Sequence, residues 1–402
     1  MSIVPLKIYE ILEKAVNGNI ENFEVNVQDP NKKGEGFLGQ IFFVSLRDKY
    51  TGKQLHFVVK QAFSEQNIRD MHPIRDVFVT EIYFYKKLWP KLLKFQEKVS
   101  PANRFVHLAK CFATASEENC ERLLLENLKY QGFVMHDKKK ALEKEQFEFI
   151  FKVYGKLHAI SFAYKALDPE SLLELVEGVT DVWIVMSHKS HFHDAVKIIH
   201  EESLEYLEPS VEGAIIKKYK HYVDDGLDLL LKSLAKGKYT AITHGDCWSN
   251  NMMFKYDNSG ETVDVRFLDF QMFRVGSPVC DLSYCLYSGG TKEVFDDLDH
   301  LLHVYHDSLS ESLREYGCDP MELYPLEALK NDWKVHCQFG AAMGLMLWRA
   351  KLTYDNDVMD LSDMCEDEEG VKKFFQANCD ENTFKERVRD IVTHLYENNY
   401  II

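Results

Sequence analysis

Apolar and polar residues alternate along several short runs in the first 130 positions of the chain, and a period of two is typical of half-buried β-strands. The stretch 75–95 carries its apolar residues at helical spacing instead, and we expect this helix to end at Pro90 or soon after. The pattern predicts a small lobe in which one helix accompanies a sheet. The predicted strands cover residues 23–28, 40–47, 54–62, 104–113 and 122–128.

The pattern changes after Gly132, where long stretches with helical spacing dominate. They are interrupted at 241–270, which contains two β-like runs. The predicted fold class is therefore α+β and bilobal, with a small β-rich lobe at 1–130 and a large, mainly helical lobe at 131–402. A ligand would bind in the cleft between them. The predicted helices cover 141–166, 192–207, 213–235, 293–316, 325–351 and 380–398, and the two β-like runs cover 251–256 and 263–270.

Composition narrows the class of protein. The chain has 402 residues, 46% hydrophobic and 28% charged, which suits a globular protein with a sizeable core. A formal net charge of −16 argues against a nucleic-acid or anionic-membrane partner. No run approaches the ~20 apolar residues of a membrane span, and the N-terminal residues form an amphipathic pattern rather than a signal peptide. Nine cysteines without a C-x-x-C pair indicate a reducing, cytoplasmic location, and no obligate protein partner is indicated.

The strongest chemical signal is the motif HGDCWSNN, followed by LDFQ. Phosphoryl transfer needs a carboxylate to orient and deprotonate the attacking hydroxyl, and oxygen ligands to hold Mg²⁺ on the phosphates. Asp246 would be the base, and Asn251 and Asp269 would be the metal ligands, in the arrangement H-R-D-x-x-x-x-N…D-F-G of kinases. Here Gly245 replaces Arg, and Gln271 replaces Gly. A turn and a strand end would explain either half alone, but the matching spacing of both favours catalysis.

A second motif, GEGFLG, places Gly34, Gly36 and Gly39 before a β-patterned run. A dinucleotide-binding fingerprint would open a helix here, whereas a glycine loop between two strands can close its backbone N–H groups over phosphates. A glycine-rich hairpin without a ligand explains the glycines alone equally well. Their position before the next motif favours the phosphate-binding interpretation.

Lys60 ends the β-like run Phe-Val-Val-Lys, and Glu81 lies 21 residues further on, within the predicted helix. A lysine on the third strand can bridge the α- and β-phosphates, and a glutamate on the helix can hold that lysine by an ion pair. Solvated surface charges are the alternative for both residues. The order of glycine loop, lysine strand and helix favours nucleotide binding.

Two further segments are expected near the site. Residues 122–128 lead into the lobe junction, where the backbone around Glu126 and Leu128 would bind the adenine edge, although an ordinary buried strand explains the side chains equally well. Asp281 follows the second metal ligand closely and is interpreted as support, either capping the next helix or holding the catalytic loop by hydrogen bonds.

Two polar clusters are interpreted as structural. One resembles a set of metal ligands, but no second cluster with zinc-like spacing accompanies it. The other contains five acids within 363–369 and could attract a cationic substrate, although a solvated loop is the better interpretation. The members of the first cluster are His188, His191, His193 and Asp194.

The order Lys60, Glu81, HGD-x-x-x-x-N and a following Asp resembles the aminoglycoside phosphotransferase and choline kinase group of the protein-kinase-like fold. More narrowly, HGD-x-W-x-N-N-x-M-F with LDFQ resembles the ecdysteroid-kinase-like (CHK-kinase-like) family of arthropods and nematodes. The segments LENL at 125–128 and GKLHA at 155–159 also fit that family. The similarity runs from about residue 34 to 281, and Cys247 and Ser249 stand where the family often has aliphatic residues.

The resemblance implies ATP and Mg²⁺ as cofactors and phosphorylation of a hydroxyl on a small molecule, a steroid in the ecdysteroid kinases. Residues 1–130 would bind the nucleotide, and 131–402 would carry the base and the acceptor. A choline-like kinase and a catalytically silent nucleotide-binding protein are the alternatives. A protein kinase is less favoured because no Ala-Pro-Glu-type segment follows Asp269. The acceptor is expected against an apolar wall of the large lobe, with Phe162, Trp183, Phe339, Met343 and Trp348 as candidates.

Overall fold

The alternating runs near the N-terminus form a five-stranded antiparallel sheet in the computed structural model, which describes residues 6–16, 19–28, 38–99, 104–359 and 368–401. The predicted strands 23–28 and 54–62 are confirmed at both ends. The prediction for 104–113 is wrong over most of its length, since the strand begins only at Cys111. At Phe105 the backbone amide bonds to the side chain of Gln96 and not to a neighbouring strand. The strands are β1 (Phe23–Gln28), β2 (Gly39–Asp48), β3 (Gln54–Ala62), β4 (Cys111–Ala115) and β5 (Arg122–Glu126), in the spatial order β1-β2-β3-β5-β4.

Helices cover both faces of this sheet. Successive residues of a strand point to opposite faces, so Leu124 packs with helix α1 (Leu6–Val16), while its neighbours Leu123 and Leu125 pack on the other side. That other side is covered by α3 (Ile74–Tyr83), which follows the short helix α2 (Gln66–Met71). The central strand of the sheet, β3, therefore lies against α3.

The helical stretch predicted at 75–95 continues to Val99, although its end was expected at Pro90 or soon after. Proline has no N–H to donate to the preceding turn and usually ends a helix. Here a π-helical segment, Phe84–Leu88, precedes helix α4 (Trp89–Val99), and the Trp89 N–H bonds five residues back to the carbonyl of Phe84. This widened turn accommodates Pro90 at the start of the next helix.

The second half of the chain is helical, as predicted, so the α+β class and the two-lobed architecture are confirmed. The predictions at 213–235 and 293–316 each correspond to two helices. The helices are α5 (Lys144–Leu167), α6 (Pro169–Val176), α7 (Val182–Ser187), α8 (Ser190–Glu205), α9 (Pro209–Tyr219), α10 (Tyr222–Leu234), α11 (Pro278–Gly289), α12 (Lys292–Asp296), α13 (Leu298–Glu315), α14 (Pro320–Leu323), α15 (Leu326–Leu352), α16 (Glu368–Gln376) and α17 (Glu381–Glu397).

Short strands accompany the helices, and two of them correspond to the predicted β-like runs at 251–256 and 263–270. One sheet has the order β6 (Val134–Met135), β8 (Met252–Tyr256) and β9 (Thr262–Phe267). The other pairs β7 (Ala241–Thr243) with β10 (Arg274–Gly276). The loops that connect β7 to β8 and β9 to β10 therefore lie next to each other, and both carry predicted site residues.

Helices α11 and α15 pack with their backbones in close approach. A Cβ atom on Gly340 would lie 2.2 Å from the backbone carbon of Ser283, and one on Gly344 would lie 2.7 Å from the Tyr287 side chain. Only glycine fits at these two positions of α15. Every residue of α11 is buried.

Among the described residues, we find no helix that combines the length and the apolar character needed to span a membrane.

Candidate active site

Lys60 lies at the centre of a buried polar network. Strand β3 places it in the middle of the sheet, and α3 brings Glu81 next to it, so that the Lys60 Nζ donates to Glu81 Oε2 over 2.6 Å. The same ammonium group contacts the carboxylate of Asp269 and donates to Gln271 Oε1 over 3.0 Å. The lysine thus joins the sheet, the helix and the loop that follows β9.

Burial and neighbouring charges have opposite effects on the pKa values of Lys60 and Glu81. Burial acts to lower the pKa of Lys60, but the carboxylates of Asp269 and Glu81 outweigh it and raise that pKa above its usual value. Burial raises the pKa of Glu81 to about 7, although the attraction of Lys60 opposes the shift. Lys60 therefore keeps its positive charge in this site.

The catalytic loop predicted at 244–251 follows β7 and turns sharply at Gly245. This glycine has a φ of +82°, and a Cβ atom there would lie 2.0 Å from the carbonyl oxygen of Met272. The Gly245 carbonyl accepts a hydrogen bond of 2.8 Å from the Trp183 indole. A left-handed conformation and a close neighbour explain why glycine stands where the kinase template has Arg.

Asp246 follows this turn and is half-buried, and three hydrogen bonds fix its carboxylate. Asn251 Nδ2 donates to its Oδ2 over 2.8 Å, and the Tyr284 hydroxyl donates to its Oδ1 over 2.9 Å. Burial raises the pKa of Asp246 above its usual value, and the charge of Asp269 raises it further, while these hydrogen bonds act against the shift. An oriented carboxylate with a raised pKa is suited to accept a proton near neutral pH.

Asp281 holds the catalytic loop from the first turn of α11. Its buried carboxylate accepts hydrogen bonds from the backbone amides of His244 and Gly245, over 2.6 and 2.9 Å, and lies 3.1 Å from His158 Nε2. Burial acts to raise its pKa, but the hydrogen bond from His158 is among the effects that bring it below the usual value. The predicted contact of Asp281 with the catalytic loop is therefore observed. The other predicted role, capping of a helix, belongs to Ser277 at the start of α11.

Asp269 occupies the left-handed backbone region, with φ 68° and ψ 60°. This conformation is uncommon for residues other than glycine and is typical of functional sites. The preceding residue, Leu268, donates its amide to the Asn251 carbonyl over 2.9 Å and accepts from His244 Nε2 over 2.8 Å. These bonds hold the loop after β9 against the catalytic loop.

Gln271 connects Lys60 to Asp246, a role that the sequence comparison with D-F-G did not suggest. Its Oε1 accepts from Lys60, so its Nε2 faces Asp246 and donates to Oδ2 over 3.5 Å. The side chain is buried. Tyr284 and His158 were also missed, although Tyr284 lies three residues after Asp281 and so on the same face of α11.

The donor set suits a hard cation such as Mg²⁺, which prefers oxygen ligands. Because Asn251 donates its Nδ2 to Asp246, its Oδ1 is the atom available to a metal. The Asp269 carboxylate, which also contacts Lys60, would supply negative charge to such a cation. The described residues hold no group of three or more His, Cys, Asp or Glu side chains arranged for a metal ion.

The remaining nucleotide-binding predictions stay predictions. Gly34 and Gly36 lie outside the described residues, and Gly39 begins β2, where a Cβ atom would lie 2.5 Å from a carbonyl oxygen of β3. Glu126 ends β5 and accepts from the side chain of Gln131. Leu128 begins a short 3₁₀ turn at the lobe junction and is buried in a small apolar cluster.

The described contacts of the histidine cluster are structural. His193 Nε2 donates to the carbonyl of Ser187 over 2.6 Å, and the ring of His191 packs against that of His72. Residues 363–367, with three of the five acids, lie outside the described residues.

The predicted apolar acceptor wall is wrong, because its members are core residues. Trp183 packs edge-on against Phe339 behind the catalytic loop, and Trp348 donates its indole N–H to the Tyr287 carbonyl. All five candidates are at most 8% exposed. Aromatic residues at helical spacing are more often core than binding surface.

The model of the ecdysteroid kinase-like family matches residues 33–318, well over half of the chain. No curated protein is significantly similar in sequence. One similar solved structure is an aminoglycoside-3'-phosphotransferase of type VIII, with 14% identity, a TM-score of 0.34, and coverage of 81% of this chain and 93% of that one. Another is the GDP complex of wild-type aminoglycoside 2'-phosphotransferase-IIIa, with 15% identity, a TM-score of 0.37, and coverage of 85% and 96%. Likenesses this weak say nothing about what this chain binds.

Proposed function

The chain belongs to the ecdysteroid kinase-like family, and from this premise we propose that it transfers the γ-phosphate of ATP to a hydroxyl of a small lipophilic molecule, such as a steroid. Asp246 is the base that accepts the hydroxyl proton. Lys60 binds the phosphates, and Glu81 positions Lys60. The cytoplasm is the expected location, and no protein partner is required.

One observation supports this proposal most strongly: the lysine, the base and the metal-ligand residues form a single hydrogen-bonded network. Lys60 contacts Asp269 directly and reaches Asp246 through Gln271. The contacts with Glu81 and Asp269 alone would compensate the burial of the lysine. The further link to Asp246 through Gln271 is what phosphoryl transfer needs, because it requires positive charge and a base on opposite sides of the transferred group.

Each residue has a defined task in the reaction. Asp246 orients the acceptor hydroxyl and accepts its proton as the new P–O bond forms. Asn251 and Asp269 would hold Mg²⁺, which when bound neutralises charge on the phosphates. The adenine edge would bind the backbone near Glu126 and Leu128, and the loop at Gly34 and Gly36 would cover the triphosphate.

The test is ADP production by purified protein with Mg-ATP and a panel of neutral steroids, plant-type lipophilic alcohols and choline-like amines. Replacing Asp246 by Asn keeps the size of the side chain but removes the base, so we expect acceptor-dependent turnover to fall roughly 10²- to 10⁴-fold. The matched control is Asp228→Asn on the exposed face of α10. Unchanged turnover in Asp246→Asn would exclude this residue as the base.

The alternatives give different results in the same assay. Stimulation by choline-like amines alone would indicate a choline-like kinase. A catalytically silent nucleotide-binding protein would bind Mg-ATP and produce no ADP with any acceptor. The complete set of base, lysine and metal-ligand residues counts against a silent protein, because nucleotide binding alone does not need Asp246.

A further inference from the structure

One buried carboxylate, that of Glu121, connects the sheet of the small lobe to helices α2 and α3. It lies just before β5 and accepts hydrogen bonds from two guanidinium groups. Arg69 of α2 binds both of its oxygens, over 2.8 and 3.2 Å, and Arg75 of α3 donates to Oε1 over 2.8 Å. We call these three residues the Glu121 clamp.

The main chain of Glu121 is bonded to the strand that carries Lys60. The amide of Ala62, two residues after Lys60 on β3, donates to the Glu121 carbonyl over 3.0 Å. On α3, Arg75 precedes Glu81 by six residues, which is about 9 Å along a helix axis. Glu121 therefore bonds to the strand of the lysine through its backbone and to the helix of the glutamate through its side chain.

We propose that Glu121 is a positioning residue for the phosphates of the nucleotide: its clamp fixes α3 against the end of β3 and so sets the contact of Glu81 with Lys60. The inference rests on the nucleotide binding proposed above and adds a group outside the site that controls it. Glu121 acts through α3 and would not touch the nucleotide itself.

Helices α2 and α3 depend on such support because their first turns are weakly fixed. Neither Glu65 nor Pro73, the N-cap residues that the structure describes for these helices, makes a capping hydrogen bond with its side chain. Helix α2 spans six residues, which is too short for a helix that is stable alone. Arg69 also donates to the Phe63 carbonyl over 2.9 Å and so ties α2 to the chain that leaves β3. Contacts with the sheet must therefore hold both helices in place.

The part of α3 that begins at the clamp carries two further contacts of the site. Phe78 lies three residues from both Arg75 and Glu81, at helical spacing. The centre of its ring is 5.3 Å from Lys60 Nζ, and a Cβ atom on Gly39 would lie 2.7 Å from its Cζ. A shift of α3 would thus move Glu81 relative to Lys60 and remove the support of the predicted phosphate-binding loop at Gly39.

The other end of α3 is fixed to the large lobe, since the Tyr83 hydroxyl donates to the Leu175 carbonyl of α6 over 2.8 Å. Without the clamp, α3 would pivot about this end. Glu81 lies two residues from Tyr83 and would move less than Arg75. We therefore expect a partial loss of phosphate binding when the clamp is weakened.

The charges of the clamp determine which variant is informative. Burial acts to raise the pKa of Glu121, but the hydrogen bonds from Arg69 and Arg75 outweigh it and hold that pKa below its usual value. A buried carboxylate without any partner would destabilise the protein strongly. Replacing Arg75 by Ala leaves Arg69 on the carboxylate, so the variant should fold.

The experiment is isothermal titration calorimetry of the full-length protein with Mg-ATP. In Arg75→Ala we expect the Kd for Mg-ATP to rise about three- to tenfold, because part of the contact between Lys60 and Glu81 is lost. Arg75→Lys keeps the charge and should restore most of the affinity. The matched control, Arg389→Ala, removes an arginine that is 39% exposed, against 46% for Arg75, and that binds the buried Glu212 over the same 2.8 Å. It should bind like the wild type.

A double-mutant cycle with Glu81→Gln separates positioning from a general weakening of the small lobe. If the clamp acts through Glu81, adding Arg75→Ala to Glu81→Gln should weaken Mg-ATP binding no further. Effects that add in full would overturn the inference, and so would wild-type affinity in Arg75→Ala. If thermal melting shows that Arg75→Ala is unfolded, Glu121→Gln, which keeps the size of the side chain, replaces it with the same expected results.

Binding is measured without turnover, so the inference and the proposed reaction fail separately. Weaker Mg-ATP binding by Arg75→Ala, in a protein that makes no ADP with any acceptor, would refute the reaction and leave the role of the clamp standing. Wild-type binding by Arg75→Ala in an active enzyme would refute the clamp alone. A wild-type protein that does not bind Mg-ATP would overturn both.

Discussion

Replacing Gln271 by Glu tests the link between Lys60 and the base. In the variant, one carboxylate oxygen of the new glutamate still accepts from Lys60. Its other oxygen places negative charge next to Asp246, at the position from which the wild-type Gln271 Nε2 donates over 3.5 Å. Two unit charges about 4 Å apart interact by about 4 kcal/mol at an effective dielectric constant of 20. Since one pKa unit corresponds to about 1.36 kcal/mol, this interaction could raise the pKa of Asp246 by roughly three units at most. Because Lys60 neutralises much of the added charge, we expect the pKa of Asp246 to rise by about one to two units.

The assay is the pH dependence of kcat/KM for ADP production. A base works only when deprotonated, so activity is lost as the pH falls through its pKa. Burial and Asp269 already raise the pKa of Asp246, so the acidic limb of the wild type should lie above the usual range of Asp. In Gln271→Glu the limb should move further up in pH, while Gln66→Glu, which adds the same charge at an exposed position, should leave it in place. An unmoved limb in an active Gln271→Glu enzyme would refute this assignment of the base.

Three further substitutions follow from the site. Gly245→Ala should lower the melting temperature and the activity, because a left-handed residue costs about 1–2 kcal/mol and its Cβ atom would meet the Met272 carbonyl. Asp281→Asn should reduce kcat about 10- to 100-fold with little change in the KM for ATP, since it alters the support of the loop and not the nucleotide site. Glu81→Gln removes the ion pair of 2.6 Å with Lys60, and the KM for Mg-ATP should rise roughly tenfold or more, because hydrogen bonds to charged groups contribute about 1.5–3 kcal/mol.

Much of the fold could be predicted because its elements are half-buried. Strands β1 and β3 and helix α15 have the expected bounds, or nearly so, since one face of each carries a periodic apolar pattern. Helix α11 was missed for the opposite reason. It is buried on all sides, so its sequence, PVCDLSYCLYSG, has no polar face and no helical period.

The site could be predicted where spacing along the chain determines the chemistry. Lys60 and Glu81 meet as expected, and Asp246 and Asn251 lie in one closed loop. The contact of Gln271 with both sides of the site depends on the left-handed turn at Asp269, which no local pattern indicates. The acceptor wall was placed wrongly because a sequence cannot distinguish a buried aromatic residue from one that lines a groove.

The backbone contact between α11 and α15 has a consequence for the rigidity of the catalytic loop. Helix α11 carries Asp281, which holds the catalytic loop, and the last turn of α15 lies near Trp248 of that loop. Since the glycines of α15 leave no space for sliding, the two helices form one rigid body. A substitution at the end of α15 that spares this contact should then leave the support of the catalytic loop by Asp281 in place.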